Sequence, residues 1–296
     1  MDITVIVTAF NRKEYLDNAI RSLENQTFKD FETILITNFD FGINKYKIKI
    51  KHIKLTENEM KNYGEYLSNI VSIAKGKIIS FLEDDDLFYD NKLEFIYNLF
   101  KNNKDLVYYH NRSIFVDKNY KEIKKSNNNP DFNMSSITIK KSIINNDYLK
   151  QIKISPDTFM YSSALESKKK IIIGKEILTK FMSHKSTSHI VENDFNIYIK
   201  KRIELTETFN NEYKKFLQFF KSKKARNHIK ALIFTHSLML YSFNKNNKPY
   251  YFSNFLFYNK GSKIFPIFEY ISLLIFGNYA RKILNSQRQK INAKLS

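Results

Sequence analysis

A short apolar segment, Lys77-Ile78-Ile79-Ser80-Phe81-Leu82, runs through Glu83 into the acidic triplet Asp84-Asp85-Asp86. The segment reads as a buried strand, and the triplet sits just past its end. Carboxylates this close raise one another's pKa unless positive charge lies among them. A hard divalent cation held by carboxylate oxygens is the usual remedy, and Mg²⁺ or Mn²⁺ in such a place bridges to phosphates. In open α/β sheets, ligands bind beyond the carboxyl ends of the strands, where this triplet would lie. A solvated acidic turn would read the same way, so the triplet does not decide by itself.

The flanking pattern constrains it further. Ile3 to Thr8 reads as a buried strand, followed by a helix over about Lys13–Gln26 with Leu16, Ile20 and Leu23 at helical spacing. Phe31–Thr37 is a second apolar strand, and Lys47–Leu55 alternates Lys with Ile as a half-exposed strand does. Asn58–Lys75 is a helix candidate ended by Gly76, and Asn91–Lys101 is another beyond the triplet. This strand–helix alternation predicts an α/β sheet with parallel strands. Further on, Leu106–Val116, Ile137–Ile139, Ile171–Ile173 and Ile177–Phe181 read as strands. Ser126–Met134 reads as a loop, and Asp157–Ser167 as a helix with Pro156 in its first turn. After about Val191 the segments look helical and basic.

Composition removes several classes. The 296 residues include no cysteine, so there are no disulfides, thiolate metal sites or cysteine nucleophile. Only six glycines are present, and neither phosphate-binding glycine motif occurs. The chain opens directly on a strand pattern, which predicts no signal peptide. The formal charge of +19 is uneven: residues 197–296 carry 19 Lys and Arg against 4 Asp and Glu, a net +15. Such a surface attracts anionic lipid or nucleic acid. No nucleic-acid-binding signature accompanies it, so nucleic acid is not an expected partner. Residues 241–290 interleave aromatics with bases around the apolar stretch Ile264–Phe276, which is too short to span a bilayer. Two readings stay open for that stretch: an interfacial membrane anchor, or a helix packed on its own domain.

Several motifs occur in one order. They are Val5-Ile6-Val7-Thr8-Ala9-Phe10-Asn11-Arg12, then Asn69 followed by Ala74-Lys75-Gly76-Lys77, then Phe81-Leu82-Glu83-Asp84-Asp85-Asp86-Leu87. Ser155-Pro156-Asp157-Thr158-Phe159 and Leu178-Thr179-Lys180-Phe181 with His184 complete the series. Together they resemble the family 2 glycosyltransferases of the GT-A fold over roughly residues 1–190. The resemblance implies a Rossmann-like mixed sheet with helices on both faces, followed by a basic helical region over 191–296. It implies transfer of a sugar, with inversion, from a nucleotide diphosphate (a UDP-sugar favoured) to a hydroxyl of a glycan or lipid-linked acceptor. By the same resemblance Asp84 and Asp86 bind Mg²⁺ or Mn²⁺, His184 joins them, and Asp157 is the catalytic base. Thr8, Phe10, Arg12, Asn38, Asn69, Asp84 and Asp85 meet the nucleotide-sugar. Ser135-Ser136-Ile137-Thr138-Ile139-Lys140-Lys141 resembles the strand bordering the acceptor site, or is an ordinary edge strand. The expected location is cytoplasmic, with peripheral membrane contact through 241–290.

Three positions depart from the family pattern. Thr37 and Asn38 stand where two acids usually end the second strand. Ser68 replaces an Arg before Asn69, and Pro156 replaces the Glu of the acidic pair that ends in Asp157. These departures keep a second reading open: a catalytically inactive GT-A-like module that binds a nucleotide or glycan.

Overall fold

The computed structural model describes residues 2–125, 129–182, 194–243, 249–258 and 264–295. The chain forms two compact units, Met1–Ser183 and His184–Ser296.

In the first unit the elements run β1 Ile3–Ala9, α1 Lys13–Glu24, β2 Phe31–Thr37, β3 Ile50–Lys54, α2 Glu57–Met60, α3 Tyr63–Ile73, β4 Ile78–Glu83, β5 Leu87–Phe88 and α4 Lys92–Asn102. They continue as β6 Leu106–Val116, β7 Glu122–Lys125, β8 Ile137–Lys140, α5 Asn146–Leu149, α6 Pro156–Glu166 and β9 Lys170–Met182. One mixed sheet has the order β3-β2-β1-β4-β8-β6-β9-β5, with β7 paired to β6. β3, β2, β1 and β4 are mutually parallel, whereas β8 is antiparallel to both β4 and β6. The apolar runs Ile3–Val7 and Ile78–Leu82 are buried, as strands covered on both faces must be. Leu16, Ala19, Ile20 and Leu23 form the buried face of α1 and enter the main core with Val5, Leu35, Leu82, Leu93 and Phe100.

Close backbone approach fixes two glycines. A Cβ on Gly76 would lie 2.4 Å from the Thr4 amide nitrogen, where the chain enters β4. One on Gly64 would lie 2.2 Å from the Leu149 carbonyl oxygen, where α3 meets α5. No side chain fits at either place.

The structure changes three of the predicted elements. The helix expected over Asn58–Lys75 is two helices. A Thr56–Glu59 capping box starts α2 early, and Gly64 N–H bonds to Ile152 O rather than continuing the turn. The two strands expected over 171–181 are one, because β9 passes Gly174–Glu176 as a bulge where its register with β6 shifts between His110 and Arg112. The segment Ile137–Lys140 is an interior strand between β4 and β6, not an edge.

The second unit is helical: α7 Phe195–Phe219, α8 Lys223–Phe243, α9 Phe252–Tyr258, α10 Ile264–Phe276 and α11 Asn278–Leu295. Asp194 caps α7 by accepting from the amides of Asn196 (2.7 Å) and Ile197 (3.1 Å). Ala231, Phe234, Leu238, Phe255, Leu273 and Leu284 form its core. Gly277, at φ +49°, turns the chain between α10 and α11. Among the described residues no helix is long and apolar enough to cross a membrane.

Candidate active site

The carboxyl ends of β1, β2 and β4 converge by construction, because β1 pairs in register with both neighbours. Thr8 lies beside Ile36 on one side and Glu83 on the other. The chain beyond β1 carries Phe10, Asn11 and Arg12, and the chain beyond β4 carries the acidic triplet.

Arg12 closes onto that triplet. Its Nη2 and Nε donate to the two oxygens of Asp84 at 2.5 and 3.2 Å, and its Nη1 donates to Asp85 Oδ2 at 2.7 Å. Such forked, charge-assisted bonds are among the strongest available to a side chain. Asp86 faces another way. Its Oδ1 accepts the Met182 N–H at 3.0 Å, and its Oδ2 is buried with no hydrogen-bond partner among the described residues.

Charge here is out of balance. Asp84 and Asp86 are almost wholly buried and Glu83 is half-buried. Unit charges about 4 Å apart interact by about 4 kcal/mol at an effective dielectric of ~20, so one guanidinium does not offset the set. Burial, and then the charges of Asp85, Asp84 and Asp157, push Glu83 up to about 8. Burial and Asp85 push Asp84 up to about 7 despite Arg12. Burial, Asp85 and Glu83 hold Asp86 well above the usual carboxylate range.

Asp157 occupies the first turn of α6, half-buried, and its Oδ1 accepts the Thr158 N–H at 2.8 Å. The charges of Asp157 and Glu83 both act on the half-buried Tyr63, so the three share one locality. A carboxylate at a helix N-terminus is favoured by the helix dipole, and here it also faces the acidic end of the sheet.

The nucleotide-side candidates are distributed more widely. Phe10 packs edge-on against Tyr66 with centroids 5.5 Å apart, and the Tyr66 hydroxyl is buried without a partner among the described residues. Asn38 exchanges two hydrogen bonds with Asn11, which has φ of 60°: it accepts the Asn11 N–H at 3.0 Å and donates to Asn11 Oδ1 at 2.6 Å. Asn69 is exposed on α3 and lines a groove of about 480 Å³ with Tyr66, Asn58 and Asn62, which the acidic triplet does not line. His184 lies outside the described residues.

Sequence reasoning missed Lys92. It is fully buried, donates to Ser135 O at 2.5 Å and to Thr179 Oγ1 at 3.0 Å, and stands 3.7 Å over the Phe88 ring. Burial draws its pKa well below the ordinary lysine value, and the charge of Asp86 works in the opposite direction. Its spacing of four from buried Ile96 and eight from buried Phe100 puts it on the inner face of α4, and that spacing was visible in the sequence. Asn11 and Tyr63 were also missed. Neither carried more signal than a polar loop residue or a helix-start aromatic.

The predicted set of Asp84, Asp86 and His184 is not assembled among the described residues, where no group of three or more His, Asp or Glu side chains is gathered as a metal shell. The donor chemistry still suits a hard cation. Two carboxylates are present, one oxygen is orphaned, and the single guanidinium of Arg12 does not offset the neighbouring acids. Phosphate oxygens of a bound ligand would supply the remaining positions.

The chain is 32% identical over 145 residues to an uncharacterised glycosyltransferase of Methanocaldococcus jannaschii, covering 42% of this chain and 50% of that one. It is 35% identical over 115 residues to the poly(ribitol-phosphate) beta-N-acetylglucosaminyltransferase TarP of Staphylococcus aureus, covering 36% of this chain and 35% of that protein. The chain thus spans half or less of the length of these curated relatives. Among solved structures, S. aureus TarS 1–349 in complex with UDP matches with a TM-score of 0.54 at 15% identity, over 83% of this chain and 74% of that one. The mannosyltransferase PcManGT of Pyrobaculum calidifontis, in complex with GDP-Man and Mn²⁺, matches with a TM-score of 0.57 at 11% identity, over 99% and 86%. These two likenesses establish the GT-A-like fold. The model of the family described as glycosyl transferase family 2 matches residues 4–167, more than half of the sequence, and the chain belongs to that family.

Proposed function

We propose that the protein is a cation-dependent, inverting glycosyltransferase. It moves a sugar from a nucleotide diphosphate, with UDP favoured, to an acceptor hydroxyl during glycan or polysaccharide assembly. The observation that carries the reading is the incompletely compensated carboxylate cluster beyond β4, with Asp86 Oδ2 orphaned and Asp157 within electrostatic reach of Glu83. Solved structures that share the fold hold UDP-GlcNAc or GDP-Man, which supports a nucleotide-sugar donor.

The chain's own residues divide the work. Asp157 removes the acceptor proton as that oxygen attacks the anomeric carbon, and the nucleotide diphosphate leaves from the opposite face. One base with in-line displacement gives inversion. Asp84 and Asp86 would hold Mg²⁺ or Mn²⁺, with His184 as a further ligand. The bound ion supplies Lewis-acid stabilisation of the leaving diphosphate. Arg12 hands Asp84 and Asp85 to the ligand and meets the diphosphate itself, while Thr8, Phe10, Asn38 and Asn69 hold the nucleotide. The acceptor is a glycan on a lipid carrier, and the enzyme works peripherally at the cytoplasmic face of a membrane.

Thermal unfolding against a panel of nucleotide diphosphates, with and without Mn²⁺, tests the donor site, because a ligand of the native state raises apparent stability. A metal-requiring shift that Asp86→Ala abolishes is expected. The fork of Arg12 on Asp84 and Asp85, with Asn38 tied to Asn11, favours one other reading: a module that binds a nucleotide or glycan without turnover. No turnover with any donor in a protein that binds nucleotide normally would favour that module.

A further inference from the structure

Among the described residues, seven of the twelve large apolar side chains most exposed to solvent fall between residues 268 and 283. They are Phe268, Ile271, Leu274, Ile275 and Phe276 of α10, with Tyr279 and Ile283 of α11. Phe268, Ile271 and Ile275 follow the i, i+3, i+7 spacing of one helix face. The opposite face of α10 packs inward through Leu273 and Tyr270, against Phe234 and Phe252. α10 contains one charged residue, Glu269. It is turned to the inside, 5% exposed, where Arg288 Nη2 donates to it at 2.5 Å. The helix has therefore buried its charge and left its apolar face outside. That is the reverse of a helix meant for water.

We infer that this outer face of α10 and the start of α11 is a docking surface for an anionic lipid bilayer, lying in the headgroup boundary. It makes specific the proposed membrane location and stands apart from the chemistry of the first unit. Three observations select a bilayer. α10 has 13 residues, about 20 Å of helix, too short for a hydrocarbon core about 30 Å thick, so it lies on the surface rather than through it. Lys282 is exposed between Tyr279 and Ile283; in the sequence Lys260 and Lys263 precede α10, and Lys290 and Lys294 fall near the end of α11. The net +15 of residues 197–296 complements an anionic leaflet, and basic residues near such a surface add to apolar insertion.

The test is sedimentation of the full chain with vesicles of phosphatidylcholine alone, or with one part in four phosphatidylglycerol, at low and high salt. Strong partition into the anionic vesicles is expected, weaker at high salt. The double variant Phe268→Ser, Ile275→Ser loses roughly tenfold in partition per residue with its thermal unfolding unchanged. Ile123→Ser, at an exposed apolar site on β7, leaves partition unchanged. Absence of partition, equal partition into both vesicle types, or a double variant that sediments like the parent would overturn the inference. So would a lipid-free dimer that the double variant converts to monomers, since a second copy would then cover the face. None of these readouts needs turnover, so they fail or succeed independently of the transferase reading.

Discussion

Each unit of this protein sets a partly exposed arginine against buried acid, and the two arrangements differ in their arithmetic. In the second unit Arg288 meets one carboxylate, Glu269, and also donates to Ser242 Oγ at 2.5 Å, so the pair is closed. In the first unit Arg12 meets two carboxylates and leaves Asp86 and Glu83 raised above the ordinary range. A balanced buried pair fixes architecture. An unbalanced one is a site waiting for charge from outside. The difference separates scaffold from chemistry without appeal to any relative.

The comparison can be broken in four places. Asp157→Asn should give the largest effect, a fall in turnover of roughly 10²–10⁴ with nucleotide affinity retained, read by steady-state rates and titration. A loss of affinity of the same size would place Asp157 in the binding surface instead. Next, Glu269→Ala should cost about 3–5 kcal/mol in chemical denaturation, because Arg288 is left buried and unpaired, while nucleotide affinity stays as it was. Lys92→Met should cost about 1–3 kcal/mol, since Ser135 O loses a buried donor, and should further raise the Asp86 carboxyl. The fourth test is a pH slope. Glu83 at about 8 and Asp84 at about 7 bind protons more tightly folded than unfolded. Stability without ligand should therefore fall as pH rises from the unfolded carboxylate range through about 8, read as a falling Tm. Mn²⁺ with a nucleotide diphosphate should flatten that slope. A slope that persists with ligand bound would show that the cation does not reach these carboxylates.

Much of the first unit was readable in advance, for a physical reason. β1, β2, β4 and β6 are buried runs whose pattern has one reading, and the acidic triplet falls at the end of one of them. The electrostatic contact of Arg12 with the triplet follows from parallel pairing of β1 with β4. What was not readable depends on long-range partners. The break between α2 and α3 is made by the Ile152 carbonyl, and the continuity of β9 by its bulge against β6. Asn69 reads as a binding residue from its neighbours in sequence, yet its exposure on α3 is set by which face Tyr66 and Ile70 bury. In the second unit the sequence left α10 open between a packed helix and an interfacial one. The structure packs one face of α10 and leaves the other exposed.

The hydrogen bond from Met182 to Asp86 has a mechanical meaning. Met182 is the last residue of β9, and the first unit ends at Ser183. The carboxylate proposed to meet a cation is thus tied to the last residue of β9. We predict that loading of the site is sensed at this bond, because a cation drawn to Asp86 competes with the Met182 amide for the same carboxylate. Amide exchange at Met182 is where that sensing would first be seen, slowing when the carboxylate is fixed and quickening when it is released.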